Sequence, residues 1–278
     1  MAKIIITGST GYIGRQVLKK LKEFEPDCDV LTVGRDISVF DKDIDFEIRS
    51  VVHLATLSTS KDTTELLEPM LEANLLFGTR LLNWLDRSGQ TGIPFINTGS
   101  FAEYRLGQEK GFNPAYLYAA TKTAFRSILD YYGEKDVCRV ITAVPYTVYG
   151  GQDRTKKIIN YLVDALGSEK PKPFTKGEQV LDFVHVDDVA RFFALIALKP
   201  DSMEKGTYHL GTGKGTSIRQ VARMLEQLSG KKINANWGVL PYRPLDVMYA
   251  VAPENKQLNA VWQPEITLEQ GLKEYVQN

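Results

Sequence analysis

The sequence predicts an α/β protein built on a doubly wound parallel sheet, with a smaller mixed α/β lobe toward the carboxyl terminus. Up to about residue 150, short apolar runs follow one another: KIIITG, DVLTVG, SVVHLA, PFINTG and RVITAVPY. Each run is almost continuously apolar, which is typical of strands covered on both faces. Stretches with helical spacing begin between these runs, near Gly14, Thr64 and Tyr116. The repeating strand and helix pattern predicts the parallel sheet.

The chain changes character near Gly150, after which it is more basic and richer in turns. We expect residues 1–150 to form the large domain and the strand and helix at 182–200 to return to it. Residues 151–181 and 201–278 are predicted to form the smaller lobe. Helical spacing in this part of the chain occurs in IINYLVDALG, IRQVARMLEQLSG and TLEQGLKEYV.

Composition and charge exclude several classes of partner. The 278 residues include 34 Lys plus Arg and 34 Asp plus Glu, so the net charge of zero offers no field that attracts nucleic acid. No apolar run approaches the roughly 18 residues of a membrane span, and the amino terminus enters a strand directly, unlike a secretory signal. Two cysteines, Cys28 and Cys138, and three histidines predict a reducing cytoplasmic location and no metal site.

A glycine motif, Gly8-Ser9-Thr10-Gly11-Tyr12-Ile13-Gly14, joins the first strand to the first helix. In this context glycines permit a tight turn, let backbone amides approach a pyrophosphate and let the helix pack close to the strand. The motif therefore predicts a Rossmann domain that binds a dinucleotide. The predicted cofactor-binding residues in it are Gly8, Thr10, Gly11, Tyr12, Ile13 and Gly14.

The end of the second strand predicts which dinucleotide is preferred. An acidic residue at this place would bind the ribose hydroxyls of NAD, but the sequence has Gly34 followed by Arg35. A guanidinium at this place, without a carboxylate, favours binding of the 2′-phosphate of NADP(H). We therefore expect NADP(H) to be preferred, with NAD(H) possible, while a solvated Arg35 of no consequence is the alternative.

Three side chains form a candidate catalytic set. Tyr118 and Lys122 lie four residues apart on one face of a predicted helix, and Ser100 follows the strand PFINTG. A nearby ammonium and the positive charge of an oxidised nicotinamide lower the pKa of a phenol. We expect Lys122 to make Tyr118 acidic in this way, and Ser100 to hydrogen-bond the substrate oxygen with which Tyr118 exchanges a proton.

With these motifs the chain resembles the extended short-chain dehydrogenases/reductases, specifically the NAD-dependent epimerase/dehydratase group that acts on nucleotide sugars. The resemblance runs along the whole chain. It rests on GSTGYIG, VVHLAT, NLLFGTRLLN, NTGSFAEY, YAATK, VPYTVYG, GEQVLDFVHVDDVA, YHLGTG and RPLDV. It implies that the smaller lobe binds the substrate and that Ser100, Tyr118 and Lys122 are the catalytic triad.

The resemblance also implies further site residues. Beside the nicotinamide and its ribose it places Leu54, Ala55, Thr56, Asn74 and Pro145, and on the substrate it places Phe101, Thr147 and Arg243. Two alternatives from the residues themselves remain open: His53 is a packed residue at a strand end, and Asn74 is a structural bridge between helix and sheet.

The departures from the family's motifs narrow the reaction. Phe101 and Ala102 follow Ser100 where water-eliminating members carry an acidic residue, which excludes dehydratase chemistry. Leu181 stands where the family's Gln-x-Arg-Asp motif usually has an arginine that contacts the diphosphate of the sugar nucleotide. We expect Arg154 or Lys157 to make this contact instead. The segment from Arg35 is similar to that of the dTDP-4-dehydrorhamnose reductases, which implies that Asp36 and Ile37 contact the adenine.

We therefore expect an NADPH-dependent reductase of the 4-keto group of a nucleotide-diphospho-6-deoxyhexose, similar also to CDP-abequose-type synthases. One alternative is a nucleotide-sugar 4-epimerase with tightly bound NAD, which Gly34 and Arg35 disfavour. Another is a non-catalytic NADP(H)-sensing protein, which would not need Ser100, Tyr118 and Lys122. The resemblance also implies a homodimer, formed through the helix from Thr64 and the helix that carries Tyr118.

Overall fold

The computed structural model describes residues 2–277. Its strands are β1 Lys3–Thr7, β2 Val30–Val33, β3 Ile48–His53, β4 Ile93–Thr98, β5 Cys138–Pro145, β6 Thr147–Tyr149, β7 Lys172–Phe174, β8 Val180–His185, β9 Gly206–Leu210, β10 Gly215–Ser217, β11 Ala235–Trp237 and β12 Tyr249–Ala250. Its α-helices are α1 Tyr12–Phe24, α2 Thr64–Leu71, α3 Phe77–Arg87, α4 Leu117–Glu134, α5 Ile158–Asp164, α6 Val186–Leu198, α7 Ile218–Ser229, α8 Lys256–Val261 and α9 Leu268–Val276. No helix in this part of the chain is long and apolar enough to cross a membrane.

The large sheet has the strand order β2-β1-β3-β4-β5-β9, and all its neighbouring strands are parallel. The five apolar runs of the sequence form β1 to β5, which confirms the predicted doubly wound parallel sheet. Helices α1 and α6 share one apolar core with the sheet, and α3 and α4 share another with its opposite face. Both faces are therefore covered, which is why the strands are continuously apolar.

The carboxyl ends of these parallel strands lie at one edge of the sheet. Thr7, the last residue of β1, is level with Val33 and His53, the last residues of β2 and β3. Thr98 ends β4 and is level with Ala143 near the end of β5. The predicted site residues follow these strand ends, so the fold places them along the same edge, where doubly wound sheets bind their ligands.

The remaining strands form smaller sheets. Strand β8 pairs with β6, β10 and β12, and β7 pairs with β11. Helices α5, α7 and α9 pack together in a separate apolar core. Strand β9 lies in 201–278, the range predicted for the smaller lobe, but it joins the large sheet because Gly206–Leu210 pairs in parallel with β5. Of the predicted return segment 182–200, helix α6 packs against the large sheet, but strand β8 does not return to it, because it pairs with β6, β10 and β12 instead.

The Asp182 carboxylate of β8 holds three chain segments together. It is fully buried and accepts hydrogen bonds from the Thr212 amide and hydroxyl (2.9 and 2.6 Å), the Gly213 amide (2.8 Å) and the Ala252 amide (3.2 Å). The loop after β9 and the segment after β12 are both anchored on this one side chain. Its role is structural.

We expect Asp182→Asn to destabilise the protein, because the introduced NH2 group must face backbone amides that need an acceptor. The free energy of unfolding should fall by roughly 3 kcal/mol, the usual cost of leaving buried donors unsatisfied. Urea denaturation measures this change. Asp201→Asn is the control: Asp201 is 97% exposed in its ion pair with Arg139, so its loss should change stability by under about 1 kcal/mol.

Candidate active site

The glycine motif forms a turn that leaves no room for a side chain at Gly8 or Gly14. Gly8 has φ +67°, and a Cβ there would lie 2.6 Å from the Ala55 nitrogen. A Cβ on Gly14 would lie 2.2 Å from the carbonyl oxygen of Gly8. Helix α1 begins after Gly11 with no side-chain cap and no acidic residue in its first turn, so its positive end is open to an anion. These residues fit the phosphates of a dinucleotide.

The other predicted residues of this motif make contacts within the protein. The Tyr12 hydroxyl donates to the carbonyl of Gly150 (2.6 Å), and the Thr10 carbonyl accepts from Arg15 (3.0 Å). Ile13 packs against the apolar core below α1. The Tyr12 side chain thus connects the turn to the segment after β6. Only the backbone of Tyr12 lies at the open amino-terminal end of α1.

The loop after β3 packs against the glycine turn. The Thr7 hydroxyl accepts from the amides of Leu54 (3.2 Å) and Ala55 (3.1 Å) and lies 2.9 Å from Nδ1 of His53. His53 is buried among the rings of Phe77, Phe95 and Phe125. Burial, with a smaller contribution from Lys122, lowers the pKa of His53 to about 3. His53 is therefore a neutral packed residue.

The end of β2 is exposed. Arg35 has no hydrogen-bond or ion-pair partner among the described residues, and a Cβ on Gly34 would meet nothing within 4 Å. Asp36 accepts from the Ser38 amide (3.0 Å), and the side chain and the amide of Ser38 together lower the pKa of its carboxyl group. Ile37 is 40% exposed. The Arg35 guanidinium and the Ile37 side chain are thus accessible to a ligand.

Asn74 connects the loop after β3 to helix α4. It lies in a π-helical turn, residues 72–76, which joins α2 and α3. Its amide oxygen accepts from the Thr56 hydroxyl (2.9 Å) and the Leu57 amide (2.8 Å), and its NH2 group donates to the Leu57 carbonyl (3.2 Å) and the Thr121 hydroxyl (2.9 Å). All of its polar capacity is used within the protein, as the structural alternative predicts.

Ser100, Tyr118 and Lys122 are brought together as the sequence predicts. Ser100 and Tyr118 are each 8% exposed and Lys122 is 3% exposed. The side chains of Ser58 and Ser100 interact with the Tyr118 hydroxyl. Tyr118 and Lys122 lie one turn apart on α4, on either side of Thr121, which Asn74 ties to the loop after β3. Helix α4 is thus held against the loop after β3, which packs against the glycine turn.

The predicted acidity of Tyr118 is wrong for the protein by itself. Burial raises the pKa of this phenol above its usual value of about 10, and the side chains of Ser58 and Ser100 only partly oppose this rise. The prediction considered the ammonium of Lys122 and the positive charge of an oxidised nicotinamide, but it omitted desolvation, which stabilises the neutral phenol. Tyr118 is therefore protonated at neutral pH.

Lys122 shows the converse effect of the same burial. Desolvation lowers its pKa to about 8, with a further lowering from Arg126 that is opposed by Glu103. Near neutral pH the ammonium is still present, and it is lost as the pH rises through about 8. A proton and a positive charge are thus available at neighbouring positions on α4.

The sequence interpretation missed Ser58, Glu103 and Arg126. Ser58 lies two residues beyond the predicted contact Thr56, and no motif marks it. Glu103 is fully buried, and its carboxylate accepts from the Ser100 amide (2.7 Å) and from Arg126 (2.7 Å at Nε). The spacing Ser100-x-x-Glu103 is that of a capping box, which could have predicted this contact.

Three further predicted residues lie at or after the carboxyl ends of β4 and β5: Phe101 and Thr147, predicted for the substrate, and Pro145, predicted for the cofactor. The Phe101 ring stacks on Tyr146 with a centroid separation of 5.8 Å. Pro145 is buried at the end of β5. The Thr147 hydroxyl is buried and has no hydrogen-bond partner among the described residues. An orphaned hydroxyl of this kind is available to a ligand.

Two predicted arginines are exposed. Arg243 acts electrostatically on Tyr116, two residues before Tyr118, so it lies on the same side of the molecule as the catalytic set. Arg154 has no protein partner among the described residues, whereas Lys157 pairs with Asp153 (2.9 Å). Of the two candidates for the missing diphosphate contact, Arg154 is thus the unengaged one.

Comparison with known proteins identifies the family to which this chain is similar. The model of the NAD dependent epimerase/dehydratase family matches residues 4–211. A CDP-abequose synthase of Salmonella typhimurium is 28% identical, over 98% of this chain and 96% of the relative. A UDP-glucuronate 4-epimerase of Thermodesulfobacterium geofontis is 32% identical, over 83% of this chain and 72% of the relative.

The fold is similar to that of a solved structure. A UDP-glucose 4-epimerase of Thermus thermophilus, solved in complex with NAD, has a TM-score of 0.82 at 22% identity, covering 99% of this chain and 98% of the other. With the family match over most of its length, the chain belongs to the NAD dependent epimerase/dehydratase family, within the extended short-chain dehydrogenases/reductases.

Proposed function

We propose that this enzyme is an NADPH-dependent reductase of the 4-keto group of a nucleotide-diphospho-6-deoxyhexose. The observation that carries the proposal is the buried Tyr118 side chain. Its hydroxyl interacts with Ser100 and Ser58, and it lies one helical turn from Lys122, beside the loop after β3 that packs against the glycine turn. The relatives named CDP-abequose synthase support a sugar nucleotide as substrate. The apolar residues Phe101 and Ala102 after Ser100 leave no acid–base pair for elimination of water.

Each catalytic side chain has one role. Tyr118 donates its proton to the ketone oxygen, and Ser100 polarises that oxygen through a hydrogen bond. Lys122 binds the nicotinamide ribose through its ammonium. When bound, the cofactor supplies the hydride, while the protein supplies orientation and electrostatics. Because burial keeps Tyr118 protonated, the protein itself already holds the proton that reduction consumes.

The remaining predicted residues divide between cofactor and substrate. We assign the cofactor to the glycine turn, Arg35 to Ile37, Leu54 to Thr56 and Pro145, with Asn74 holding the loop in place. We assign the substrate to Phe101, Thr147, Arg154 and Arg243. The orphaned Thr147 hydroxyl and the unpaired Arg154 support the second assignment, since both polar groups lack protein partners among residues 2–277.

We expect Arg35→Glu to reverse the preference between the two cofactors. The exposed guanidinium would no longer bind a 2′-phosphate, and a carboxylate would accept from ribose hydroxyls. The ratio of kcat/KM for NADPH over NADH should fall by roughly 10- to 100-fold, the usual value of hydrogen bonds to a charged group. Arg223→Glu in α7 makes the same charge change on an exposed residue of the smaller lobe and should leave the ratio unchanged. An unchanged ratio for Arg35→Glu would contradict the assignment.

The proposed reaction is tested by supplying NADPH with a panel of 4-keto-6-deoxyhexoses linked to CDP, dTDP, UDP and GDP. Stoichiometric oxidation of NADPH with at least one of them is the expected result. The UDP-glucuronate 4-epimerase relative supports a second candidate, a 4-epimerase that holds NAD. Interconversion of sugar nucleotides without consumption of added NADPH, together with NAD released from the denatured protein, would establish that candidate instead.

We also propose a cytoplasmic homodimer that pairs through α2 and α4. Leu67, Leu71 and Tyr131 are 42%, 38% and 59% exposed on these helices. Apolar side chains at this density favour a partner surface. Sedimentation should give twice the monomer mass, and a monomer at micromolar concentration would contradict the dimer.

A further inference from the structure

A buried ion pair, Glu103 with Arg126, lies under the catalytic set and has no role in the reaction as proposed above. Glu103 is fully buried and Arg126 is 8% exposed. Arg126 donates from Nε to one carboxylate oxygen (2.7 Å) and from Nη2 to the other (3.2 Å), so the pair is bidentate. Burying two charges is costly unless every polar group is satisfied.

The pair is satisfied through contacts that lead to the catalytic side chains. Glu103 also accepts from the Ser100 amide at 2.7 Å. Arg126 follows Tyr118 and Lys122 on α4 at successive intervals of four residues, so all three lie on one face of that helix. A closed path therefore runs from Ser100 through Glu103 and Arg126 to α4 and back through the Tyr118 hydroxyl.

Further contacts fix Arg126 in place. Its Nη1 donates to the Thr207 hydroxyl (3.1 Å), and its guanidinium lies over the rings of Tyr104 and Phe112, 5.9 and 5.2 Å from their centroids. Strand β9, the loop after β4 and helix α4 thus meet at this side chain. The pair is anchored on three elements and cannot rotate freely.

We propose that Glu103 and Arg126 are a positioning pair. The pair fixes the Ser100 loop against the face of α4 that carries Tyr118 and Lys122, and its two opposite charges act together on the Lys122 ammonium. The inference rests on the proposed role of Lys122 toward the cofactor's ribose. The charged and titratable groups around Lys122 are Tyr118 and Arg126 on α4, Glu103 in the loop after β4 and His53 on β3. His53 is neutral above about pH 3, and Tyr118 is protonated and neutral at neutral pH. Of these four groups, Glu103 and Arg126 are therefore the two that carry a charge near the Lys122 ammonium.

The two members of the pair act on Lys122 in opposite directions. Glu103 raises the pKa of Lys122 and Arg126 lowers it. Removal of the Glu103 charge should therefore lower this pKa, and removal of the Arg126 charge should raise it. A residue that merely stabilised the fold would not produce shifts of opposite sign.

The test is the pH dependence of NADPH binding to the complete protein without substrate, measured by cofactor fluorescence. In the wild type the Kd should rise with pH above a bend near 8, where the Lys122 ammonium is lost. In Glu103→Gln, which keeps an acceptor for the Ser100 amide, the bend should move to lower pH by roughly one unit, and in Arg126→Gln to higher pH by a similar amount. Glu25→Gln, which breaks the ion pair with Arg49 in the amino-terminal part of β3, is the control and should leave the bend in place.

The outcomes separate this inference from the proposed function. A wild-type bend with unshifted variants, or with both shifted in the same direction, would overturn the positioning pair and leave the role of Lys122 intact. A wild type with no bend would overturn that role as well. If Arg126→Gln does not fold, the double variant Glu103→Gln with Arg126→Gln replaces it in the test. The bend of the double variant should return toward the wild-type pH. A bend at the same pH as that of Glu103→Gln alone would contradict the inference.

Discussion

Tyr118→Phe should lower kcat by roughly 100- to 10,000-fold, the range expected when a positioned proton donor is removed. The ring remains, so its packing in the site and the proposed contact of Lys122 with the cofactor are kept. The Kd for NADPH should therefore change by no more than a few-fold. Single-turnover oxidation of NADPH with the preferred sugar nucleotide measures the first quantity, and fluorescence titration measures the second.

Tyr132→Phe is the matched control for this substitution. Tyr132 lies on the same helix and is equally buried, but its side chain packs in the apolar core between α4 and the sheet. The same loss of a hydroxyl at that position should leave kcat unchanged. If Tyr118→Phe kept most of its rate, another group would have to supply the proton and the assignment would be wrong.

Gly14→Ala should weaken cofactor binding strongly. The added Cβ would lie 2.2 Å from the Gly8 carbonyl oxygen and 2.8 Å from Cα of Ser9, so backbone must move. Overpacking of this kind costs roughly 3 kcal/mol, and a similar loss in binding corresponds to a rise in the Kd for NADPH of about 100-fold. Calorimetric titration measures the affinity, and thermal melting without cofactor measures the stability.

Two other glycines separate binding from folding. A Cβ on Gly11 would lie 3.1 Å from the Gly8 carbonyl oxygen, and the backbone there is extended. Gly11→Ala should therefore keep the fold while it obstructs the approach of phosphate to α1. Gly133→Ala, in α4, places a Cβ at an ordinary 3.6 Å from Cys138 and should leave both properties unchanged. Wild-type affinity in both Gly14→Ala and Gly11→Ala would show that the turn does not bind the cofactor.

The large sheet could be predicted because its signal is local. Each of β1 to β5 is a continuous apolar run, and a glycine or helical segment follows it. Strand β9 carries no such signal, since its residues Gly206–Leu210 alternate in character and its partner β5 lies more than 60 residues away. Membership of the large sheet is decided by that long-range pairing, which spacing alone does not reveal.

The candidate site shows the same division. The spacing of Tyr118 and Lys122 predicts their shared helix face, and the structure places Ser100 beside Tyr118. The direction of the Tyr118 pKa could not be predicted, because it depends on how completely the fold removes the phenol from water. Arg126 was missed for a related reason: its partner Glu103 lies 23 residues away on another element.

The most direct test of the account follows the reduced carbon itself. NADPH carrying deuterium on the transferable position of its nicotinamide is supplied with the preferred 4-keto sugar nucleotide, and the product is examined by mass spectrometry and NMR. A reductase of the proposed kind should give one deuterium per product at C4 and one equivalent of NADP. Sugar product without deuterium, formed while the added NADPH stays reduced, would contradict the account.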